Sequence, residues 1–314
     1  MGCLALVGYD FPNTVRVRLL AWQITLQLNV SQERLSTRGL LEYEDDTFGR
    51  TLLPYSSCRF SETDNCLAKK FRYTTEPLKA SPTDLVHTPL LGSEAFHLLA
   101  APDVAETQIL ELMKLRTQHG FKNRPFIVWE PLPAACTTQN RRSFLQACRL
   151  VDVFSPNHLE MSALFEDSPS KGFQPEQLEA YTLEFCKATG MSGNGIVVVR
   201  AGEHGSLTTQ NKAKTMWLPP YYESSSNKVV DPTGGGNTYL GGFIAGWKAT
   251  GDIAEASMYG NVAASFAIEQ IGLPSCQRVD GEETWNGARV MERLSQYKAR
   301  LMPSKQSEKY TSGE

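Results

Sequence analysis

The 314-residue chain contains no apolar run approaching the roughly 18 residues that a membrane-spanning helix needs, so no membrane role is expected. It has no basic excess either: 31 basic residues face 34 acidic ones, for a net charge of −3. That balance argues against a protein held on nucleic-acid phosphates. The seven cysteines (Cys3, Cys58, Cys66, Cys136, Cys148, Cys186, Cys276) include no C-x-x-C pair. Their odd number and wide spacing argue against a disulfide framework and a zinc site, and fit a reducing cytosol. The opening stretch MGCLALVGYD lacks the basic and apolar regions of a secretory signal, so a cytoplasmic location is expected. Gly2-Cys3 lacks the Ser or Thr at position 6 that lipidation of Gly2 requires, Leu6 standing there. No internal repeat occurs. No G-x-G-x-x-G lies near the N-terminus, which removes the main support for a dinucleotide-dependent oxidoreductase. A composition of 41% hydrophobic and 21% charged residues excludes a disordered, fibrous or coiled-coil chain.

What is present is an alternation of strands and helices over the C-terminal two thirds. Asp103 to His119 carries Ile109, Leu110, Leu112 and Met113 at helical spacing, Asp103 and Glu106 resemble a capping box, and Gly120 is a natural stop. Phe126–Trp129, Val151–Phe154 and Ile196–Arg200 are short apolar runs that predict buried strands. Helices are predicted over Ser143–Leu150, Asn157–Phe165, Glu176–Thr189, Thr238–Thr250 and Ile253–Gln270, with a loop over Asp167–Pro175. Strands separated by helices imply parallel βαβ units. The N-terminal third differs. Ser36–Tyr43 and Phe71–Thr75 predict two strands of a small β flap, spanning about residues 30–80, with an aperiodic stretch at 51–70 between them. One domain is expected over 1–302, followed by a polar, disordered tail at 303–314.

The chemistry concentrates in Val229-Val230-Asp231-Pro232-Thr233-Gly234-Gly235-Gly236-Asn237-Thr238, which runs into an apolar helix. Three glycines at a helix entry leave backbone N–H groups uncovered, and the helix dipole adds positive charge at the same place. The result is an anion hole suited to a phosphoryl group. A bare glycine run is also an ordinary flexible turn, and Asp231 with Thr233 also suits a turn before a helix. Asn157 and Glu160 are spaced i, i+3, which places both on one helix face; taken alone such a pair is more commonly a solvated helix start. Glu130, in Trp129-Glu130-Pro131-Leu132-Pro133, lies either near bound phosphates or at the surface as a strand-terminating acid. His158 and His204 are lone histidines close to these motifs.

These residues resemble, in order, the motifs of the ribokinase-like (PfkB) carbohydrate kinase family. Asp231-Pro232-Thr233-Gly234-Gly235-Gly236-Asn237 is similar to the family's D-x-T-G-x-G-D signature, and Asn157 and Glu160 to its N-x-x-E. Val197 to Ser206 is similar to the strand and turn under the nucleotide, and Gly260 to Ala264 to the small-residue helix beside the adenine. Good resemblance covers residues 85 to 275, and within the family the chain resembles the fungal killer-virus maintenance proteins, with the D-P-T-G-G-G-N variant.

The resemblance implies a three-layer α/β/α fold with a mostly parallel central sheet and a small β flap acting as a lid. It implies an ATP-dependent kinase of a sugar or similar hydroxyl compound that uses magnesium and a monovalent cation such as potassium. Gly234, Gly235 and Gly236 would form the anion hole. Asn157, Glu160, Arg200, Gly202, Gly205 and Asn261 would bind the nucleotide, Glu160 would meet magnesium through water, and Asp231 and Thr233 would hold the monovalent cation.

Two departures matter. The family's catalytic base, an aspartate, is Asn237 here, and an amide accepts no proton at neutral pH. The chain is therefore a slow kinase, a kinase with its base elsewhere, or a nucleotide-binding pseudokinase acting through partners. At the other end, Val7-Gly8-Tyr9-Asp10 already resembles a later family segment. The expectation is a missing first strand and sugar-holding motif, with 51–70 as a retained intron or lineage insertion. A small-molecule substrate is expected, and the flap is a candidate surface for a homodimer.

Overall fold

The computed structural model describes residues 1–42, 70–167, 172–191, 195–210 and 215–301. The stretch at 51–69 and the tail at 303–314 lie outside the described residues. Internal packing divides the chain into two compact units. The first comprises Met1–Ala201 with Leu207–Trp217, and the second comprises Gly202–Ser206 with Leu218–Glu314.

The first unit is organised by strands β5 (Ala95–Ala100), β6 (Phe126–Pro131), β7 (Val153–Phe154) and β8 (Ile196–Arg200), each parallel to the next. Strands β9 (Ser206–Gln210) and β10 (Met216–Leu218) extend the sheet, whose order is β10-β9-β8-β7-β6-β5. The apolar runs are continuous because parallel strands are covered on both faces: Ile127, Val128, Trp129, Val197 and Val198 are 0% exposed. Helices α2 (Pro102–Gln118), α3 (Arg141–Ala147), α4 (His158–Ala163) and α5 (Pro175–Ala188) supply further core side chains, including Ile109, Phe144, Met161 and Phe185. At its centre Trp129 stacks on Phe144 at 5.2 Å, and Phe154 stacks on Phe185 at 4.9 Å. The buried Trp129 indole donates to the Ala100 carbonyl at 3.0 Å, so its one polar atom is satisfied.

Helix α2 corrects a local expectation. It starts without a side-chain cap, at Ala101 followed by Pro102, so Asp103 and Glu106 form no capping box. Proline in the first turn presets φ and has no N–H to satisfy. The predicted stop holds: Gly120 has φ 84°, and Phe121 N donates to Arg116 O at 2.9 Å.

The N-terminal third contains more than a flap. Strands β1 (Gly2–Gly8) and β2 (Thr25–Ser31) pair in parallel around helix α1 (Asn13–Ala21), none of whose residues is buried. The flap follows as an antiparallel pair, β3 (Gly39–Glu42) with β4 (Lys70–Tyr73), shorter than the two predicted strands.

In the second unit, helices α6 (Gly235–Thr250) and α7 (Ile253–Ala267) pack at glycines. A Cβ on Gly242 would stand 2.5 Å from the Ala263 Cβ, and one on Gly260 would stand 2.8 Å from the Tyr239 ring. Small residues in this helix pair therefore serve close packing. A hairpin, β11 (Cys276–Val279) with β12 (Glu282–Trp285), and helix α8 (Val290–Leu301) complete the unit.

Candidate active site

In the first unit, the C-terminal ends of parallel strands deliver charged side chains to one place, where open α/β sheets form their ligand crevices. Glu130 is the penultimate residue of β6, Arg200 ends β8, and Asn157 follows β7 and pairs as a bridge with Arg200. Arg200 Nη1 lies 2.8 Å from Glu130 Oε1, and Nη2 lies 3.6 Å from Glu160 Oε2. The same guanidinium donates to Ser155 O at 3.0 Å. His97 Nε2 meets Glu130 Oε2 at 3.0 Å. Glu130 and Glu160 are only 7% and 6% exposed, which removes both alternatives left open above, a surface acid and a solvated helix start. Burial pushes the Glu130 carboxyl up, but the His97 bond and the Arg200 charge outweigh it and hold it below its ordinary value.

Asn157 and Glu160 do not simply project from one helix face. Asn157 is the N-cap of α4, and the two side chains close on each other as a capping box. Asn157 Oδ1 accepts from Glu160 N at 2.8 Å, while Glu160 Oε2 and Oε1 accept from Asn157 N and Nδ2 at 2.7 and 2.6 Å. Both oxygens of Glu160 thus already have protein donors. The residues fit a magnesium contact through water. Among the described residues no group of three or more His, Cys, Asp and Glu is placed to hold a metal ion.

In the second unit, Gly234 enters α6 with φ 83° and ψ −10°, the left-handed region that glycine adopts without strain. Gly235 N donates to Pro232 O at 3.1 Å and Thr238 N to Gly234 O at 3.0 Å. The N–H groups of Gly234 and Gly236 have no acceptor among the described residues. Among the described residues nothing lies within 4 Å of a Cβ built on Gly234, but Gly235 is buried, its Cβ would stand 2.9 Å from Ile268 Cγ2, and its N–H is taken by Pro232 O, so Gly235 does not join the expected three-glycine anion hole. Asn237 is exposed in the first turn of the helix. Asp231 Oδ1 accepts from Thr233 N at 2.9 Å, so the turn-stabilising role of that pair is present.

Other predicted residues differ in their surroundings. Gly202 has φ 58° and open space, whereas a Cβ on Gly205 would fall 2.0 Å from Leu218 O. The close backbone approach at Gly205 is thus to the protein itself. Asn261 is buried, and its Nδ2 donates to Ser206 Oγ at 3.2 Å and Tyr297 Oη at 3.0 Å. His204 is exposed, and the His158 ring lies 6.0 Å from Phe173. Sequence reasoning missed His97, because β5 itself was unread; its signal is a histidine within the short apolar run Phe96-His97-Leu98-Leu99.

Solved structures share this architecture. Ribokinase from Giardia lamblia superposes with a TM-score of 0.62 at 14% identity, covering 96% of this chain and 83% of that one. An E. coli protein described as a ribokinase II, solved with ATP and Mg2+, gives a TM-score of 0.60 at 18% identity, covering 95% and 83%. The fold is ribokinase-like. A family model described as pfkB family carbohydrate kinase matches residues 70–279, and the chain belongs to that family. Protein MAK32 of Saccharomyces cerevisiae is 30% identical over 305 residues, 92% of this chain and 76% of that protein. An uncharacterized protein of Schizosaccharomyces pombe is 32% identical over 312 residues, 95% and 79% respectively.

Proposed function

We propose that the chain is an ATP-dependent phosphotransferase, acting in the cytoplasm on a hydroxyl of a sugar or nucleoside-like compound. The observation that carries this reading is the glycine bend at the start of α6, where the amides of Gly234 and Gly236 meet no acceptor among the described residues. Phosphoryl transfer is mostly positioning and charge stabilisation, and such amides supply both. Family membership supports ATP and magnesium, as does the E. coli neighbour solved with both. Magnesium, when bound, offsets charge on the phosphates. In this chain Asn157 and Glu160 hold each other rigidly for contact through water, Arg200 offsets one of the two neighbouring carboxylate charges, and Gly202, Gly205 and Asn261 shape the nucleotide segment. Asp231 and Thr233 are the proposed seat of potassium. The β3–β4 flap, with Leu40 and Tyr73 exposed, is the proposed homodimer surface, which light scattering tests.

Asn237 favours a second reading, a nucleotide-binding pseudokinase that acts through partners. A general base typically contributes about 10² to 10⁴-fold, and the carboxamide only orients a hydroxyl. The deciding experiment measures turnover across sugars and nucleosides for the wild type and Asn237→Asp, alongside ATP binding by calorimetry. Turnover that rises by about 10²-fold or more in the variant supports the kinase. ATP binding without product from either protein supports the pseudokinase, and no ATP binding sinks both.

A further inference from the structure

We infer that Tyr297 is a positioning residue that fixes which way the Asn261 amide is turned, so that this chain selects a nucleotide whose base offers an exocyclic amine. The inference rests on the nucleotide-binding reading above and extends it to how a base is chosen. Every residue it uses belongs to the second unit.

Tyr297 is 1% exposed, and burial keeps its hydroxyl protonated. A hydroxyl has one proton to give. Tyr297 Oη gives it to the carbonyl of Pro219, which can only accept. Toward Asn261 the same oxygen can therefore only accept, and it takes a hydrogen bond from Nδ2 at 3.0 Å. The second Nδ2 proton goes to Ser206 Oγ at 3.2 Å. Turning the amide over would set Oδ1 against the lone pairs of Tyr297 Oη, a contact with no proton in it. The nitrogen is thus fixed on the side of Ser206 and Tyr297. Oδ1, which meets no donor among the described residues, is left as an acceptor.

The same bonds tie together the segments around a base. Ser206 follows the turn at Gly202, where a Cβ would meet nothing within 4 Å among the described residues. Asn261 and Ile268, the C-cap of α7, are seven residues apart, so they share one face of the helix about 10 Å apart along its axis. A Cβ on Gly235 would stand 2.9 Å from Ile268 Cγ2, so the glycine bend abuts that face. A phosphate at the bend and a base at Asn261 are then separated by roughly the length of a nucleotide along α7. There the fixed Oδ1 accepts from the 6-amino group of adenine and repels the 6-carbonyl of hypoxanthine, which is itself an acceptor.

The test is calorimetric titration with ATP and with ITP, which carries a carbonyl where ATP carries the amine. Both are titrated in excess magnesium chloride into the wild type, Tyr297→Phe and Ser206→Ala, with folding checked by circular dichroism. The wild type is expected to bind ATP at least about tenfold more tightly than ITP, since ITP leaves the acceptor unmet. Tyr297→Phe frees the amide to turn and is expected to bring the two Kd values together, whereas a merely structural loss weakens both in proportion. Ser206→Ala leaves Tyr297 in charge of the amide and is expected to keep the preference; it decides the matter should Tyr297→Phe fail to fold. Equal wild-type affinities or a preference for ITP overturn the inference, as does a Tyr297→Phe ratio like that of the wild type or a Ser206→Ala ratio near one. Binding of neither nucleotide by the wild type overturns the nucleotide reading itself.

Discussion

The two candidate regions arrange their polar groups by opposite means. At the end of the parallel sheet, side chains from β5, β6, β8 and α4 bond one another until every carboxylate oxygen of Glu130 and Glu160 has a donor. At the start of α6, no side chain caps the helix, and the backbone amides of Gly234 and Gly236 meet no acceptor among the described residues. The first region is preorganised by long-range pairing, so its residues carry stability as well as chemistry. The second is preorganised by local backbone conformation, so its residues can change ligand binding while the fold tolerates the change.

That contrast can be broken. Glu130→Ala leaves Arg200 and His97 facing a void, and removing one partner of a buried ion pair is expected to cost about 3–5 kcal/mol in chemical denaturation. The same measurement on Gly234→Ala should show about 1–2 kcal/mol, the cost of a left-handed non-glycine residue in open space. Equal costs at the two sites would end the distinction. A smaller effect is expected for Asn237→Asp, which places an acid in the first turn of α6. It should raise stability by about 0.3–1 kcal/mol through the helix dipole, read as a higher Tm at low salt. The smallest effect concerns pH. Because the folded-state Glu130 carboxyl is held below its ordinary value, its contribution is full above the unfolded value of about 4.3 and fades as the pH falls through the folded one. The Tm gap between wild type and Glu130→Gln should therefore narrow on acidification below about pH 4. A gap that stays constant down to acid-induced unfolding would show that Glu130 does not titrate as its surroundings require.

Much of the fold was legible where one period dominated. The runs Phe126–Trp129 and Ile196–Arg200 are strands, and helices α2, α5, α6 and α7 lie where their apolar spacing predicts. Strands β1 (GCLALVG) and β5 (AFHLLA) are short apolar runs, which periodicity alone does not separate from a piece of buried helix, whereas the strict alternation of β2 (TLQLNVS) is a strand signal the sequence did carry. The Asp103 box failed because a competing local signal, Pro102, sets the start of α2. Helix α6 begins at Gly235, ahead of the predicted Thr238, because glycines give no propensity for a helix but adopt its entry geometry readily. In the candidate site, Asn157 with Glu160 and the triglycine run were legible, since each acts over a few residues. The surroundings of Asn261 and Gly205 were not, since their partners Tyr297 and Leu218 come from distant segments.

By itself, the order of residues determined what is local: a glycine bend that exposes amides, a capping box that closes over three positions, and an amide where the family has an acid. Only tertiary structure decided that Arg200 bridges Glu130 and Glu160, residues 70 and 40 positions away in the chain. Parallel strand register sets which side chains share an edge, and register depends on packing across the whole sheet, which no short stretch of sequence encodes.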